Sequence, residues 1–204
     1  GRHSAAREWL IAAGTAAVAP LRDRSRGARA SDPAAAARMD EIRFRILLPA
    51  ETLRRFPDAA DRLSSSQSGA RSQALEELLR LRGPELVGLV REALWDADPL
   101  FRETAAPAVR ALFGREAQTQ LTGLLQDPAV NVRIAALKEL AGIPSKKTAQ
   151  ALSEFLAAEK DPNMLILAIR ALQEDKSRTS AEVFRFQLKS PHWQFRAASI
   201  KAPK

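Results

Sequence analysis

DPAVNVRIAA, Asp127 to Ala136, is the stretch that decides the fold, because variants of it recur along the whole chain. Its seventh residue is an arginine, and aligned positions follow one another in steps of 29 to 34 residues. The aligned positions are Arg7, Arg38, Arg71, Arg102, Arg133, Leu167 in place of an arginine, and Arg196. Self-similarity at a period of this size is typical of repeat architectures. The sequence therefore predicts an array of similar units.

Each unit opens with a helix-start signal six positions before the aligned residue. The residues at that position are Asp32, Ser65, Asp96, Asp127, Asp161 and Ser190. Proline follows at Pro33, Pro128, Pro162 and Pro191. An Asp or Ser side chain accepts a hydrogen bond from the free N–H groups of a first helical turn, and proline at the first position has no N–H to lose. The pattern predicts a capped helix at the start of each unit.

A second helix follows in each unit. ALEELLRL is predicted to end at Gly83 and ALKELAG at Gly142, because glycine commonly ends helices. The segments PELVGLVREAL and KKTAQALSEFLAA then place apolar residues three and four apart, as amphipathic helices do. No segment alternates apolar and polar residues for long enough to predict a strand. We expect an all-α fold of about six to seven two-helix units, stacked because one unit cannot bury its apolar face alone.

The spacing D-P-x-x-x-Φ-R-x-x-A in a two-helix unit resembles HEAT repeats, in particular the short bacterial kind also found in phycobilin lyase subunits. The resemblance implies a right-handed alpha-alpha superhelix, that is, a HEAT-like solenoid. It also implies that the Asp and the Arg six residues later form a hydrogen-bonded ladder between successive units. The residues in ladder positions are Asp32, Arg38, Arg71, Asp96, Arg102, Asp127, Arg133 and Arg196.

The regularity of the repeat changes along the chain. Residues 1–64 are predicted to be less regular HEAT-like repeats, since Pro57 and a serine-rich run interrupt them, and residues 65–204 to be regular ones. The last copy, from Ser190, has no second helix. Either the chain is a segment of a longer array, which we favour, or its C-terminal end is an assembly surface.

The residues that most chemistry requires are scarce. There is no cysteine, so disulfides, thiolate metal sites and a cysteine nucleophile are excluded, and His3 and His192 are the only histidines. No glycine-rich phosphate loop is present. We therefore predict no catalytic, metal-binding or cofactor-binding residues and no enzyme activity. No apolar run reaches the roughly 18 residues of a membrane span; a cytoplasmic location is slightly favoured, with export left open.

Candidate partner-binding residues follow from the repeat. In this repeat class the first helix of each unit is expected to line the concave surface, at the positions one and five after the aligned arginine. The candidates are Glu8, Met39, Arg43, Ser72, Glu76, Glu103, Ile134, Lys138 and Lys201. Their mixture of apolar and oppositely charged residues suits a protein partner. The function predicted is a non-enzymatic scaffold for protein–protein interaction or assembly.

Two alternatives stay open. The net charge of +8, concentrated towards the C-terminal half, would suit a nucleic-acid-binding solenoid, and the chain could also be an accessory subunit of a larger enzyme complex. The basic cluster Arg22, Arg24, Arg26 and Arg29 is another place where phosphates could bind, although we expect a solvated helix end and loop there. Trp9 and Trp95 are expected to pack in the core or between repeats.

Overall fold

The computed structural model describes residues 2–174, and describes side chains for residues 5–172. Residues 2–174 form twelve α-helices and no strand, which confirms the all-α prediction. The helices are α1 (Arg2–Ala12), α2 (Val18–Ala28), α3 (Pro33–Leu47), α4 (Ala50–Arg55), α5 (Ala59–Leu63), α6 (Ser68–Leu79), α7 (Val87–Ala93), α8 (Pro99–Leu112), α9 (Ala117–Leu124), α10 (Val130–Ala141), α11 (Lys146–Ala158) and α12 (Pro162–Glu174). In that part of the chain no helix is both long and apolar enough to cross a bilayer.

The predicted helix starts are correct in some repeats and displaced along the chain in others. Asp32 caps α3, where its side chain accepts a hydrogen bond from the Ala35 N–H at 2.8 Å. Asp161 accepts from the Asn163 N–H at 2.8 Å immediately before α12. Ser65, in contrast, accepts from the Gln67 N–H, and α6 begins only at Ser68. The turn at Ser65 is satisfied before the helix starts, so the prediction of a cap there is wrong.

Of the two predicted helix ends, one is correct and the other is wrong. Gly142 follows the last residue of α10, as expected. Gly83 does not end α6, which stops at Leu79; instead Arg82 takes the left-handed conformation, with φ of 52°. Gly83 has a φ of −79°, which any residue can adopt, so glycine is not required at that position.

The chain divides after Ala108 into two compact units, and the division lies within α8. In the first unit α3 is the central helix: it packs along α2 and also contacts α1, α5 and α7. Phe44 of α3 and Phe101 of α8 are buried and meet edge to face, with ring centroids 6.0 Å apart. The predicted change of regularity near residue 64 is a matter of sequence and stays a prediction.

In the second unit the helices that follow α8 form two layers. α10 packs on α12, α9 contacts α11, and the layers are joined by α9 against α10 and α11 against α12. Leu121, Leu137, Leu140 and Leu152 are buried in the core between the layers. Successive helical hairpins that pack side by side in this way are compatible with a helical repeat.

Candidate interaction surfaces

Arg71 donates three hydrogen bonds from its side chain, and two of them form a bidentate pair with Asp96. Its guanidinium nitrogens donate to both carboxylate oxygens of Asp96, at 3.2 and 2.7 Å, and its Nε donates to the Leu63 carbonyl at 2.9 Å. Both side chains are buried, with exposed fractions of 3% and 4%. The pair joins the aligned arginine of one repeat to Asp96, 25 residues later, at the predicted helix-start position of the following repeat; the helix itself, α8, begins at Pro99 and is capped by Asp98.

Arg102 and Arg133 make the same local contact in different repeats. Arg102 Nη1 donates to the main-chain oxygens of Asp96 and Ala97, at 2.8 and 3.2 Å. Arg133 Nη1 donates to the corresponding oxygens of Asp127 and Pro128, at 2.9 and 3.3 Å. In each case the arginine fastens the turn that precedes its own helix. The repeat of sequence is therefore accompanied by a repeat of hydrogen bonding.

The other ladder positions are placed differently. Asp32 uses its carboxylate to cap α3, and no described contact joins it to Arg38, which is exposed. Arg196 lies outside the described residues, as does Lys201 among the partner-binding candidates.

A buried cluster of charges surrounds Arg43 in the first unit. Its side chain, 2% exposed, lies 3.0 Å from Asp40, 3.3 Å from Glu92 and 3.7 Å from Asp96. The Arg43 guanidinium lies over the Phe44 ring, and that of Arg71 over the Phe101 ring, 4.7 and 4.5 Å from the centroids. The aromatic pair is therefore flanked by two buried cations, each of which is neutralised by carboxylates.

The pKa of Asp96 reflects this cluster. Burial by itself would raise the pKa of the carboxyl group, because it penalises the charged form. The bonds and charge of Arg71 outweigh that effect, with help from the Asp98 N–H and from Arg43, and the pKa is lowered. Asp96 is held as a carboxylate and acts as an acceptor within the fold.

The basic cluster of α2 also belongs to this network. Arg22 pairs with Glu92 at 3.0 Å and Arg29 with Asp40 at 2.6 Å, while Arg26 donates to the Trp95 main-chain oxygen. The expectation of a solvated helix end and loop was therefore wrong for Arg22, which is half-buried, whereas Arg26 and Arg29 are exposed as expected, although each is bonded within the first unit. These side chains fasten α2 to the rest of the first unit.

The predicted concave positions differ in exposure. Arg43 and Ser72 are buried, at 2% and 5%, so their predicted availability to a partner is wrong: both point into the packing of the first unit. Three candidates are exposed, namely Glu8, Glu76 and Lys138. Three are half-buried, namely Met39, Glu103 and Ile134.

The two tryptophans in the described part of the chain lie on the surface, contrary to the prediction. Trp9 is 70% exposed and Trp95 is 62% exposed. Trp95 comes after the end of α7, where the Arg26 bond holds its main chain. The exposure of Trp95 could not be read from the amphipathic pattern, because α7 ends at Ala93 and the side chain of Trp95 no longer follows the helical period.

The second unit has a cleft beside Arg133. It encloses about 210 Å³ and is lined by Asp127, Arg133, Phe155 and Glu159, among others. Glu159 accepts from the main-chain N–H groups of Asp161 and Lys160, which, together with Arg133, hold the pKa of its carboxyl below the ordinary value. The Arg133 and Glu159 side chains are 3.5 Å apart. The Arg133–Glu159 ion pair therefore borders the cleft, at the repeat position that Arg71 and Arg102 occupy in the preceding repeats.

These sites hold their charged side chains in ion pairs. The buried carboxylates face arginines, which stay protonated at any accessible pH. Within residues covered by the structure, no group of three or more His, Asp or Glu residues is arranged to hold a metal ion. Comparison with models of known protein families gives no match, and neither does comparison with curated proteins.

Proposed function

We propose that the chain is a HEAT-like helical-repeat scaffold that binds another protein. The two-helix units, the layered packing of α9 to α12 and the matching bonds of Arg102 and Arg133 support the repeat assignment. The buried arginine–carboxylate cluster supports a structural use of the charged residues rather than a catalytic one.

The observation that carries the proposal is the exposure of Trp95. A tryptophan with more than half of its surface in water contributes little to the stability of its own fold. Tryptophan is enriched among the central anchor residues of protein–protein interfaces, whose truncation costs about 2 kcal/mol or more. The Arg26 side chain bonds the Trp95 main chain, so the backbone that carries the indole is tied to the first unit. Trp95 is proposed as an anchor for the partner.

Two other functions are alternatives to the scaffold. A nucleic-acid-binding solenoid would use the basic C-terminal half; the α2 cluster adds little to it, because Arg22, Arg26 and Arg29 are bonded within the first unit. An accessory role in an enzyme complex is a special case of protein binding. Capture of an enzyme as the partner would indicate this role.

The test is affinity capture of partners from nuclease-treated lysate of the source organism, with quantitative mass spectrometry. The tagged full chain is compared with Trp95→Ala and with Val130→Ala, a control that truncates another exposed apolar residue, 44% exposed, in the second unit. We expect one protein to be retained by the parent and the control, and its recovery to fall about tenfold or more with Trp95→Ala. The purified pair should show the same loss in a binding titration.

Equal binding by Trp95→Ala and the parent would remove Trp95 as the anchor. Recovery of nucleic acid alone when the nuclease is omitted, with binding that weakens steeply as salt is added, would favour the nucleic-acid alternative.

A further inference from the structure

A groove with several polar side chains in its lining lies in the second unit between α9 and α11. It encloses about 260 Å³, and its polar lining consists of Gln118, Thr119 and Thr122 from α9 and Lys147, Gln150 and Glu154 from α11. It is separate from the cleft beside Arg133 and from the positions predicted to face a partner. Its lining offers hydrogen-bonding groups from two adjacent helices.

The orientation of the Gln118 amide is fixed by hydroxyl groups beside the groove. Thr148 is buried and donates its hydroxyl proton to the Ile143 carbonyl at 2.7 Å, and Ser145 donates its proton to Thr148 Oγ1 at 3.1 Å. Both oxygens have used their only proton, so each can only accept a bond from Gln118. The Gln118 nitrogen meets them, at 2.9 and 3.1 Å.

This arrangement turns the Gln118 carbonyl oxygen away from Ser145 and Thr148, and Gln118 is one of the residues that line the groove. On the opposite wall the Gln150 nitrogen donates to the Glu154 carboxylate at 3.2 Å, so Gln150 also presents its oxygen. The groove therefore has two amide oxygens and a carboxylate as acceptors. These acceptors can take bonds from a cationic donor, and the carboxylate repels an anionic group.

Lys147 is the one cation in this lining. It precedes Glu154 by seven residues on α11, which places the two about 10 Å apart along the helix axis. The end of the groove at Glu154 is therefore the end that suits a positive charge. A guanidinium group, with five donors in a planar fork, can bond a carboxylate and an amide oxygen together, whereas an ammonium group presents a single point charge.

We propose that the groove between α9 and α11 receives an arginine side chain from an extended segment of the protein partner. The inference rests on the scaffold function proposed above and adds the chemistry of one contact. Glu154 supplies the charge, and the Gln118 oxygen, held by Ser145 and Thr148, supplies a second acceptor in a fixed direction.

The test is an NMR titration of the isotope-labelled full chain with blocked peptides. The probes are Gly-Gly-Arg-Gly-Gly, the same peptide with the neutral analogue citrulline in place of arginine, and the same peptide with glutamate. We expect the arginine peptide to shift the side-chain amide signals of Gln118 and Gln150, with a millimolar dissociation constant. The citrulline peptide should bind more weakly and the glutamate peptide should leave those signals unchanged.

Glu154→Gln is the matched variant, since it keeps the shape of the side chain and an acceptor for Gln150. It should weaken arginine-peptide binding about fivefold, the upper range for an exposed charge pair. Glu76→Gln makes the same change at an exposed position of α6 and should have no effect. Absence of shifts at Gln118 and Gln150 would overturn the proposal, as would equal shifts with the glutamate peptide or unchanged affinity of Glu154→Gln.

The two proposals fail separately. Loss of the groove contact together with a partner that still depends on Trp95 would leave the scaffold function standing. Arginine binding in the groove with no captured protein would count against the scaffold function alone.

Discussion

Arg71→Ala is the substitution whose effect follows most directly from the contacts. It removes both bonds to Asp96, the bond to the Leu63 carbonyl and the contact with the Phe101 ring. It also leaves the Asp96 carboxylate buried, with Arg43 3.7 Å away as its remaining cation in the first unit. Breaking a buried pair in this way costs about 3–5 kcal/mol, most of it from the unpaired charge.

The assay is equilibrium unfolding in urea, followed by circular dichroism and tryptophan fluorescence. With a slope of about 2 kcal/mol per molar urea, a loss of this size lowers the unfolding midpoint by about 2 M. Arg38→Ala is the matched control, because Arg38 occupies the same repeat position and is exposed; its free energy of unfolding should change by less than about 0.5 kcal/mol.

A double variant tests the cause of the loss. Arg71→Met combined with Asp96→Leu removes both charges and keeps apolar volume, so it should be more stable than Arg71→Ala. An Arg71→Ala midpoint within about 0.2 M of the parent would refute the argument, since a buried bidentate pair cannot be lost at so small a cost. A double variant less stable than the single one would show that packing, not the unpaired charge, dominates.

Three further results are expected. The lowered pKa of Asp96 contributes stability that is complete above the unfolded value of about 3.9 and is lost as pH falls through the folded value, so urea midpoints from pH 6 to 2 should depend less on pH in Asp96→Asn than in the parent. Burial, opposed only in part by Arg110, raises the pKa of Glu139, so the protein loses stability as the pH rises above the unfolded value of about 4.3. In the same assay Glu139→Gln should be more stable than the parent at pH 7 and should lose that advantage by pH 4. Gly114→Ala should lower the free energy of unfolding by about 1 kcal/mol, because Gly114 has a φ of 51°. Gly123→Ala should raise it by about 0.5–1 kcal/mol, because Gly123 lies within α9 and an added methyl group meets nothing within 4 Å.

Local signals in the sequence predicted the helices well where one segment contains all the information. KKTAQALSEFLAA is α11 from its first residue to its last, and Ser145 before it caps the helix through the Thr148 N–H. Asp32 with Pro33 opens α3 in the same way. A cap, a period and an end lie within a few residues of one another, so propensity and patterning are sufficient there.

The sequence failed where the deciding contact is distant. Arg22 belongs to a charged stretch that looks solvated, and nothing nearby indicates that Glu92, 70 residues later, pairs with it. Arg43 was assigned to an exposed surface by its place in the repeat, but it is buried between Asp40 of its own helix and Glu92 of α7.

The groove between α9 and α11 was missed for a similar reason. Gln118 and Gln150 are ordinary surface residues in the sequence, and their significance depends on which helices become neighbours. A chain of hydroxyl donors that ends on the Ile143 carbonyl has no recognisable sequence pattern.

The bond from Arg71 to Asp96 also limits how the gene for this protein can change in length. The two residues are 25 positions apart, and α7 lies between them. A single-residue insertion in α7 would turn all that follows by about 100° around the helix axis and carry the aspartate away from its arginine. A duplication or deletion of an entire repeat would instead bring an equivalent aspartate to the same place. Evolution can therefore lengthen or shorten such a chain by whole repeats far more readily than by single codons.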